Sequence, residues 1–458
     1  MTQAPEEASA QAGTRRGSVA KLAASSYLGT ALGLLTGPLV ARALGPEGRG
    51  EYAAVMSYSA LLVLVFGIGF GQTMNYAQLT LKWDREVVLA TAVRFALWLT
   101  PFALVAAGVV MWLGLLPPDA NWALAVSALL IPMSILQQCS FNLLVGMGDL
   151  KAVALLQLSP VLFSAVGVVV LFPFGLLTIA SFLALSVVGG VLNFALALRL
   201  LGVRPRGARS PLQLMGFGLR AFPGGLSHLA NSQLDQLLVA PVLGTRDLGI
   251  YAAAVTVAGI PLGLAQALGA RSVRDNAAPE GGLDPRRTEL SIRRVAVAVA
   301  ALAAGLACVV PWLVPLLYGE PFRDSAPLAM VLLLGTVANG IYGVAGASLT
   351  IAGRPGVQSW AQIGGVVVTG VGLVVLLPTI GVMGAAITSV VAYWTRLALV
   401  IVALRREGVR DVRPRWADVV GFVRLLLDRL RLRALADRLR RGSRTSPAAA
   451  DDEVSARG

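Results

Sequence analysis

Charge is scarce in this 458-residue chain, where Asp, Glu, Lys and Arg together make up 14%. Histidine occurs once, as His228, cysteine twice, as Cys139 and Cys308, and lysine three times, as Lys21, Lys82 and Lys151. One histidine and two cysteines set within apolar runs exclude a Cys/His metal centre and a disulfide framework. So little charge, beside 56% hydrophobic residues and a mean hydropathy of +0.74, excludes a water-soluble enzyme. What the chain has instead is apolar length. Twelve segments of about 21 residues need roughly 250 apolar positions, and 56% of 458 residues supplies that number. The composition implies an all-α polytopic membrane protein.

The charge that is present has one dominant sign, 38 basic residues against 24 acidic, a net +14 carried almost wholly by arginine. These residues sit between apolar spans and in a tail, which points to cytoplasmic loops beside anionic lipid rather than to nucleic acid.

Hydropathy predicts twelve transmembrane helices, near 22–43, 52–77, 87–116, 122–146, 151–173, 176–198, 214–242, 250–270, 295–317, 327–350, 357–378 and 382–404. The Arg15-Arg16 pair lacks the flanks of a twin-arginine signal, and the run after it is too long for a cleaved h-region, so it reads as an uncleaved first span. With the N-terminus inside, connections up to residue 404 place 17 Lys and Arg on the cytoplasmic side and 4 on the other. That asymmetry predicts cytoplasmic N- and C-termini.

An internal repeat is the most informative pattern. Val40–Ala54 aligns with Val239–Ala253 at an offset of 199, identical at eight of fifteen positions, including Leu44-Gly45 with Leu243-Gly244, Gly50 with Gly249 and Tyr52-Ala53-Ala54 with Tyr251-Ala252-Ala253. Six spans separate the copies, so they run in the same direction about an axis normal to the membrane. The sequence therefore divides into a cytoplasmic segment 1–21, a six-helix bundle 22–205, a second bundle 206–404, and a basic tail 405–458. A central cavity is expected between the bundles. The tail holds 14 Arg against 8 acidic residues. It is expected to form two short interfacial helices on anionic lipid, with a disordered end from Ser443.

Within the first copy, Ala41-Arg42-Ala43-Leu44-Gly45-Pro46-Glu47-Gly48-Arg49-Gly50-Glu51-Tyr52-Ala53 resembles the signature of Wzx-type polysaccharide transporters, in the multidrug/oligosaccharidyl-lipid/polysaccharide exporter superfamily. Asn231–Val239 followed by Leu248-Gly249-Ile250-Tyr251 resembles that family's passage from helix 7 to helix 8. The resemblance spans about 20–404 and implies a flippase of polyprenyl-diphosphate-linked sugar. The signature itself reads first as a hairpin, with glycines and Pro46 making a tight turn and Tyr52 anchoring it at the membrane surface.

Ionisable residues inside spans are the candidate site. On helix 7, at about 100° per residue, Arg220, Gly224, Ser227, His228, Asn231 and Asp235 share one stripe, which is expected to face water between the bundles. Arg220 suits a diphosphate through its guanidinium fork or snorkels to the interface. His228 is a hydrogen-bonding residue or a proton relay. Asp235 is the candidate for coupling to H⁺ or Na⁺, or for a salt bridge that locks one state. Arg94 on helix 3 and Arg396 on helix 12 snorkel, or else form a basic vestibule. Neutral groups such as Gln137, Gln138, Gln157, Asn193, Asn339 and Gln362 serve either sugar hydroxyls or helix packing, and the sequence does not separate the two.

The leading functional reading is a lipid-linked oligosaccharide flippase working by alternating access, without a cofactor, with a polysaccharide polymerase or glycosyltransferases as further partners. The alternatives are an ion-coupled multidrug exporter of the same superfamily and a membrane glycosyltransferase or polymerase. The last lacks the paired carboxylates and large external loop such enzymes need, so the chain is read as a non-enzyme.

Overall fold

The computed structural model describes residues 4–67, 70–114, 121–128, 130–210, 212–276, 278, 282–415 and 417–420; several side chains within these ranges, including those of 4–27, 220–225 and 228, lie outside the description. Among the described residues there is no β-strand. Ten helices are long and apolar enough to cross a membrane. The first of them, Leu32–Gly67, holds two spans, because the helix Ala4–Gly67 breaks at Gly45 (φ 68, ψ −179). The 32-residue helix Leu212–Leu243, too polar to be counted by hydropathy, completes the twelve.

We number these α1 (4–44), α2 (46–67 and Phe70–Leu79), α3 (Arg85–Trp112), α4 (Asn121–Ala128 and Leu130–Met147), α5 (Leu150–Leu171) and α6 (Ile179–Leu201). The second set is α7 (Leu212–Leu243), α8 (Thr245–Ala258 and Ile260–Asp275), α9 (Pro285–Tyr318), α10 (Ser325–Ile351), α11 (Pro355–Ile380) and α12 (Val382–Arg406). Caps fix several ends: Asp149 accepts from the amides of Lys151 and Ala152, Asp284 from that of Arg287, and Thr178 and Ser181 form a capping box.

Large apolar side chains point outward, with Trp112, Trp312 and Trp360 among the most exposed. The buried positions are rich in alanine. This inversion of the soluble pattern is what lipid solvation requires, since helix packing there relies on small residues rather than on hiding apolar ones.

The turn expected over residues 44–51 is shorter than the sequence implied. Gly45 alone breaks the helix, and Pro46, with its preset φ, starts the next one. Its repeat mate Gly244 (φ 98, ψ 173) divides α7 from α8 in nearly the same conformation, open only to glycine. The offset read from the sequence is thus also an offset in backbone geometry. Two later spans begin earlier than hydropathy indicated, α8 at Thr245 and α9 at Pro285, because their first turns are polar and extend past the apolar run.

The tail leaves α12 anchored. Glu289 Oε1, near the start of α9, accepts from the amides of Arg410 (2.7 Å) and Asp411 (3.0 Å), Arg354 pairs with Glu407 at 2.7 Å, and Val409 is buried. Arg415 beside Asp411 holds that carboxyl below the usual carboxylate range. Of the interfacial helices expected over Trp416–Arg441, residues 417–420 are helical, and the remainder, with the end from Ser443, lies outside the described residues.

Candidate substrate and coupling site

The two repeat copies touch each other. A Cβ built on Gly50 would stand 1.7 Å from the carbonyl oxygen of Thr245, and one on Gly249 would stand 1.9 Å from that of Pro46. Gly50 and Gly249 are repeat mates, as are Pro46 and Thr245, so the contact is reciprocal about the axis relating the halves. Glu47 and Arg246, again mates, face each other across it at 3.4 Å. Nearby, the Arg42 guanidinium donates to the carbonyl of Leu316 at the end of α9. About two turns further along α2, Tyr58 Oη donates to the Leu237 carbonyl (3.0 Å) and Ser57 Oγ to Gln236 (3.4 Å). The halves are thus joined at the end carrying the α1–α2 and α7–α8 turns.

The α7 stripe turns elsewhere than expected. Asn231 and Asp235 are 8% and 7% exposed and point into the second bundle, not into water between the bundles. Asp235 Oδ2 accepts from Tyr251 Oη of α8 (2.5 Å) and Ser389 Oγ of α12 (3.1 Å), while Oδ1 accepts from the amide of Gln236 (2.8 Å). Among the described residues no Lys or Arg comes within ion-pair distance of this carboxylate. A carboxylate at membrane depth, held by two hydroxyls and one amide with no cationic partner among the described residues, gains from a proton or a cation.

One turn back along α7, Asn231 Nδ2 donates to the carbonyls of Ser227 and Gln362, both at 2.8 Å. Its neighbour on α12 is Arg396, and Gly365 of α11 makes the space for both: a Cβ there would lie 2.5 Å from Asn231 Oδ1 and 2.6 Å from Arg396 Cδ. Arg396 neither snorkels nor lines a vestibule. It is 5% exposed, lies 4.8 Å from the ring centroids of both Tyr342 and Tyr393, and donates to Asn339 Oδ1 at 3.1 Å. Two aromatic faces and one amide stand where a carboxylate would ordinarily neutralise the guanidinium.

Arg94, also an expected site residue, does not join this cluster. Arg94 is exposed on α3, on the stripe that also carries the exposed Leu97, Trp98, Pro101 and Val105. That is the apolar face lipid covers, where a long cationic side chain reaches for the membrane surface. Arg220 and His228 lie on the α7 backbone with their side chains outside the described ones. Conversely, Tyr251, Ser389, Tyr342 and Tyr393 were not singled out as site residues from the sequence. For Tyr251 a signal existed: it stands in the repeat, and a tyrosine hydroxyl buried by packing has to find a partner.

Residues 39–327 match the family of polysaccharide biosynthesis proteins. The chain belongs to that family. The match takes in both repeat copies, Asn231, Asp235 and Tyr251, and ends before Ser389 and Arg396. No curated protein matches the chain. Among solved structures it is similar to the lipid II flippase MurJ in an inward closed conformation, at 12% identity and a TM-score of 0.67, over 91% of this chain and 92% of that one. It is also similar to an inward-facing multidrug resistance MATE transporter of the MOP superfamily (16% identity, TM-score 0.62, 83% and 94% covered). A third is a MOP superfamily transporter from Pyrococcus furiosus (15% identity, TM-score 0.55, 86% and 96% covered). At these identities the likeness is one of fold. This polysaccharide biosynthesis family member is a multi-pass membrane protein of that architecture.

Proposed function

We propose that the protein is a flippase that carries polyprenyl-diphosphate-linked oligosaccharide from the inner to the outer leaflet of a bacterial cytoplasmic membrane, by alternating access. The reciprocal contact of Gly50 and Gly249 carries this reading. Two similarly oriented halves that meet through reciprocal glycine contacts, small buried residues such as Ala53, Ala54, Ala252 and Ala253, and a solvent-exposed ion pair form a helix-packing seam at one end that can open and close. With both termini cytoplasmic, as the basic loops imply, the joined end is the outer one, and the cargo enters from within.

In this reading the sugar head rides between the halves while the polyprenyl chain stays in lipid. Asp235, with Tyr251 and Ser389, is the coupling site whose protonation or cation binding biases the second bundle. Arg220 and His228 remain proposed cargo contacts. The basic tail holds anionic lipid, and a polymerase or glycosyltransferases act on the delivered product. Membership in a polysaccharide biosynthesis family supports the sugar cargo. The multidrug exporter reading draws on the buried acid alone, and Arg396 in the same bundle speaks against a site built for cations.

Depletion of the protein followed by measurement of labelled lipid-linked sugar in each leaflet tests the proposal. Accumulation in the inner leaflet is expected, and undiminished outer-leaflet delivery with newly acquired drug sensitivity would favour the exporter.

A further inference from the structure

The first bundle contains a cavity, apart from the Asp235 and Arg396 cluster, lined by three of the neutral amides noted in the sequence, Gln137, Gln138 and Gln157. It has a volume of about 330 Å³ and lies between α2, α4 and α5, lined by Val63, Ser134, Gln137, Gln138, Phe141 and Gln157 among others. Its amides are deep. Gln138 is nine residues from the end of α4 and Gln157 seven from the start of α5, roughly 13 Å and 10 Å along their axes.

The cavity faces away from α6. Asn193 of α6 donates to the Leu156 carbonyl and to Ser159 Oγ, both at 2.8 Å, so α6 covers the back of α5. α2, which walls the cavity through Val63, bonds the second half through Ser57 and Tyr58 on another face.

Helix glue does not account for Gln137 and Gln138. Among the described residues neither Gln137 nor Gln138 hydrogen-bonds a protein group through its side chain, and Ser134 Oγ is used on the carbonyl of Leu130 (3.0 Å). Amides at membrane depth without a protein partner, as at Gln137 and Gln138, are tolerated only against water or a polar ligand.

We propose that this cavity is the sugar subsite of the transporter, recognising an uncharged, hydroxyl-bearing sugar residue of the lipid-linked cargo; the proposal rests on the flippase reading. Each glutamine amide both donates and accepts, as a sugar hydroxyl does. Among the described residues the lining contains no ionised group, so these side chains suit a neutral ligand and leave a diphosphate to arginines elsewhere. Phe141 and Val63 supply an apolar wall for the C–H face of a pyranose. The volume falls within the range of small-ligand sites, about 300–1,000 Å³.

The test uses the full-length protein in lipid nanodiscs and two kinds of probe: bare undecaprenyl diphosphate, and undecaprenyl diphosphate carrying glucose, galactose or N-acetylglucosamine. Wild-type protein is expected to bind at least one sugar-bearing probe about tenfold tighter than the bare carrier, the value of one or two hydrogen bonds. The near-isosteric Gln137→Met/Gln138→Met variant should lose that preference and keep its affinity for the bare carrier, and Gln138→Asn should recover part of it. A preference unchanged in the double variant overturns the subsite, as does an equal fall for every probe. Binding of the bare carrier with no sugar preference in the wild type overturns the subsite alone, whereas no binding of any probe overturns the flippase reading with it.

Discussion

Gly50 and Gly249, 199 residues apart in sequence, each leave the space that the other's helix turn fills. Their approach is backbone to backbone, so no side chain can move aside to admit a methyl group. The contact therefore sets a steric condition on closure of this end of the molecule.

Gly50→Ala and Gly249→Ala should each hold the halves apart at that end. A methyl at 1.7–1.9 Å from a carbonyl oxygen cannot be absorbed by rotamer change and costs at least about 3 kcal/mol in the closed state. Spin-label distances between the α1–α2 and α7–α8 turns should lengthen, with membrane insertion preserved and transport lost. Wild-type distances in either variant would show that the contact can yield.

Glu47→Ala should do little by comparison. The side chains of Glu47 and Arg246 are 56% and 65% exposed, and exposed pairs contribute about 0–1 kcal/mol. Transport within about twofold of wild type is expected from an energy of that size, and a loss as severe as that of Gly50→Ala would move the determinant of closure from the glycines to the ion pair.

At the acid, Tyr251→Phe removes one of the two hydroxyl donors to Asp235 Oδ2. Leaving that buried carboxylate short of a partner should lower stability by about 1–3 kcal/mol, read as a fall in thermal midpoint. Asp235→Asn, which keeps the shape, should fold and abolish the dependence of transport on the H⁺ or Na⁺ gradient. Gradient dependence retained in Asp235→Asn would remove this residue from the coupling step.

Arg396→Lys should not substitute for the wild type, although it keeps the charge. A lysine ammonium is a point charge without a flat face, so it cannot stack between Tyr342 and Tyr393 while reaching Asn339. A loss of about 1–2 kcal/mol is expected, with Arg396→Met no worse than Lys because its thioether suits the rings. A fully stable Lys variant would mean that charge alone holds the cluster.

Much of this architecture was legible in the sequence. Twelve apolar runs named the spans, and the repeat paired Gly45 with Gly244 before any geometry was known. The same alignment contained Gly50 and Gly249, yet their contact was hidden, because a repeat gives equivalence and not proximity. The direction of the α7 stripe was lost for a related reason. A helical wheel assigns Asn231 and Asp235 a common face but cannot say which neighbour that face meets, and here it meets α8, α11 and α12 rather than water between the bundles. Arg396 was misread because depth along a helix said nothing of the two tyrosine rings beside it, one of them from another helix.

Alternating access is tested most directly by tethering the joined end. In a background with Cys139→Ser and Cys308→Ser, cysteines at Glu47 and Arg246 can be bridged by a short, reducible bifunctional thiol reagent, and flipping of a labelled polyprenyl-diphosphate sugar followed in proteoliposomes. Separation of the halves as an obligatory step predicts that the bridged protein is inactive and that reduction restores flipping. Undiminished flipping by fully bridged protein would contradict it.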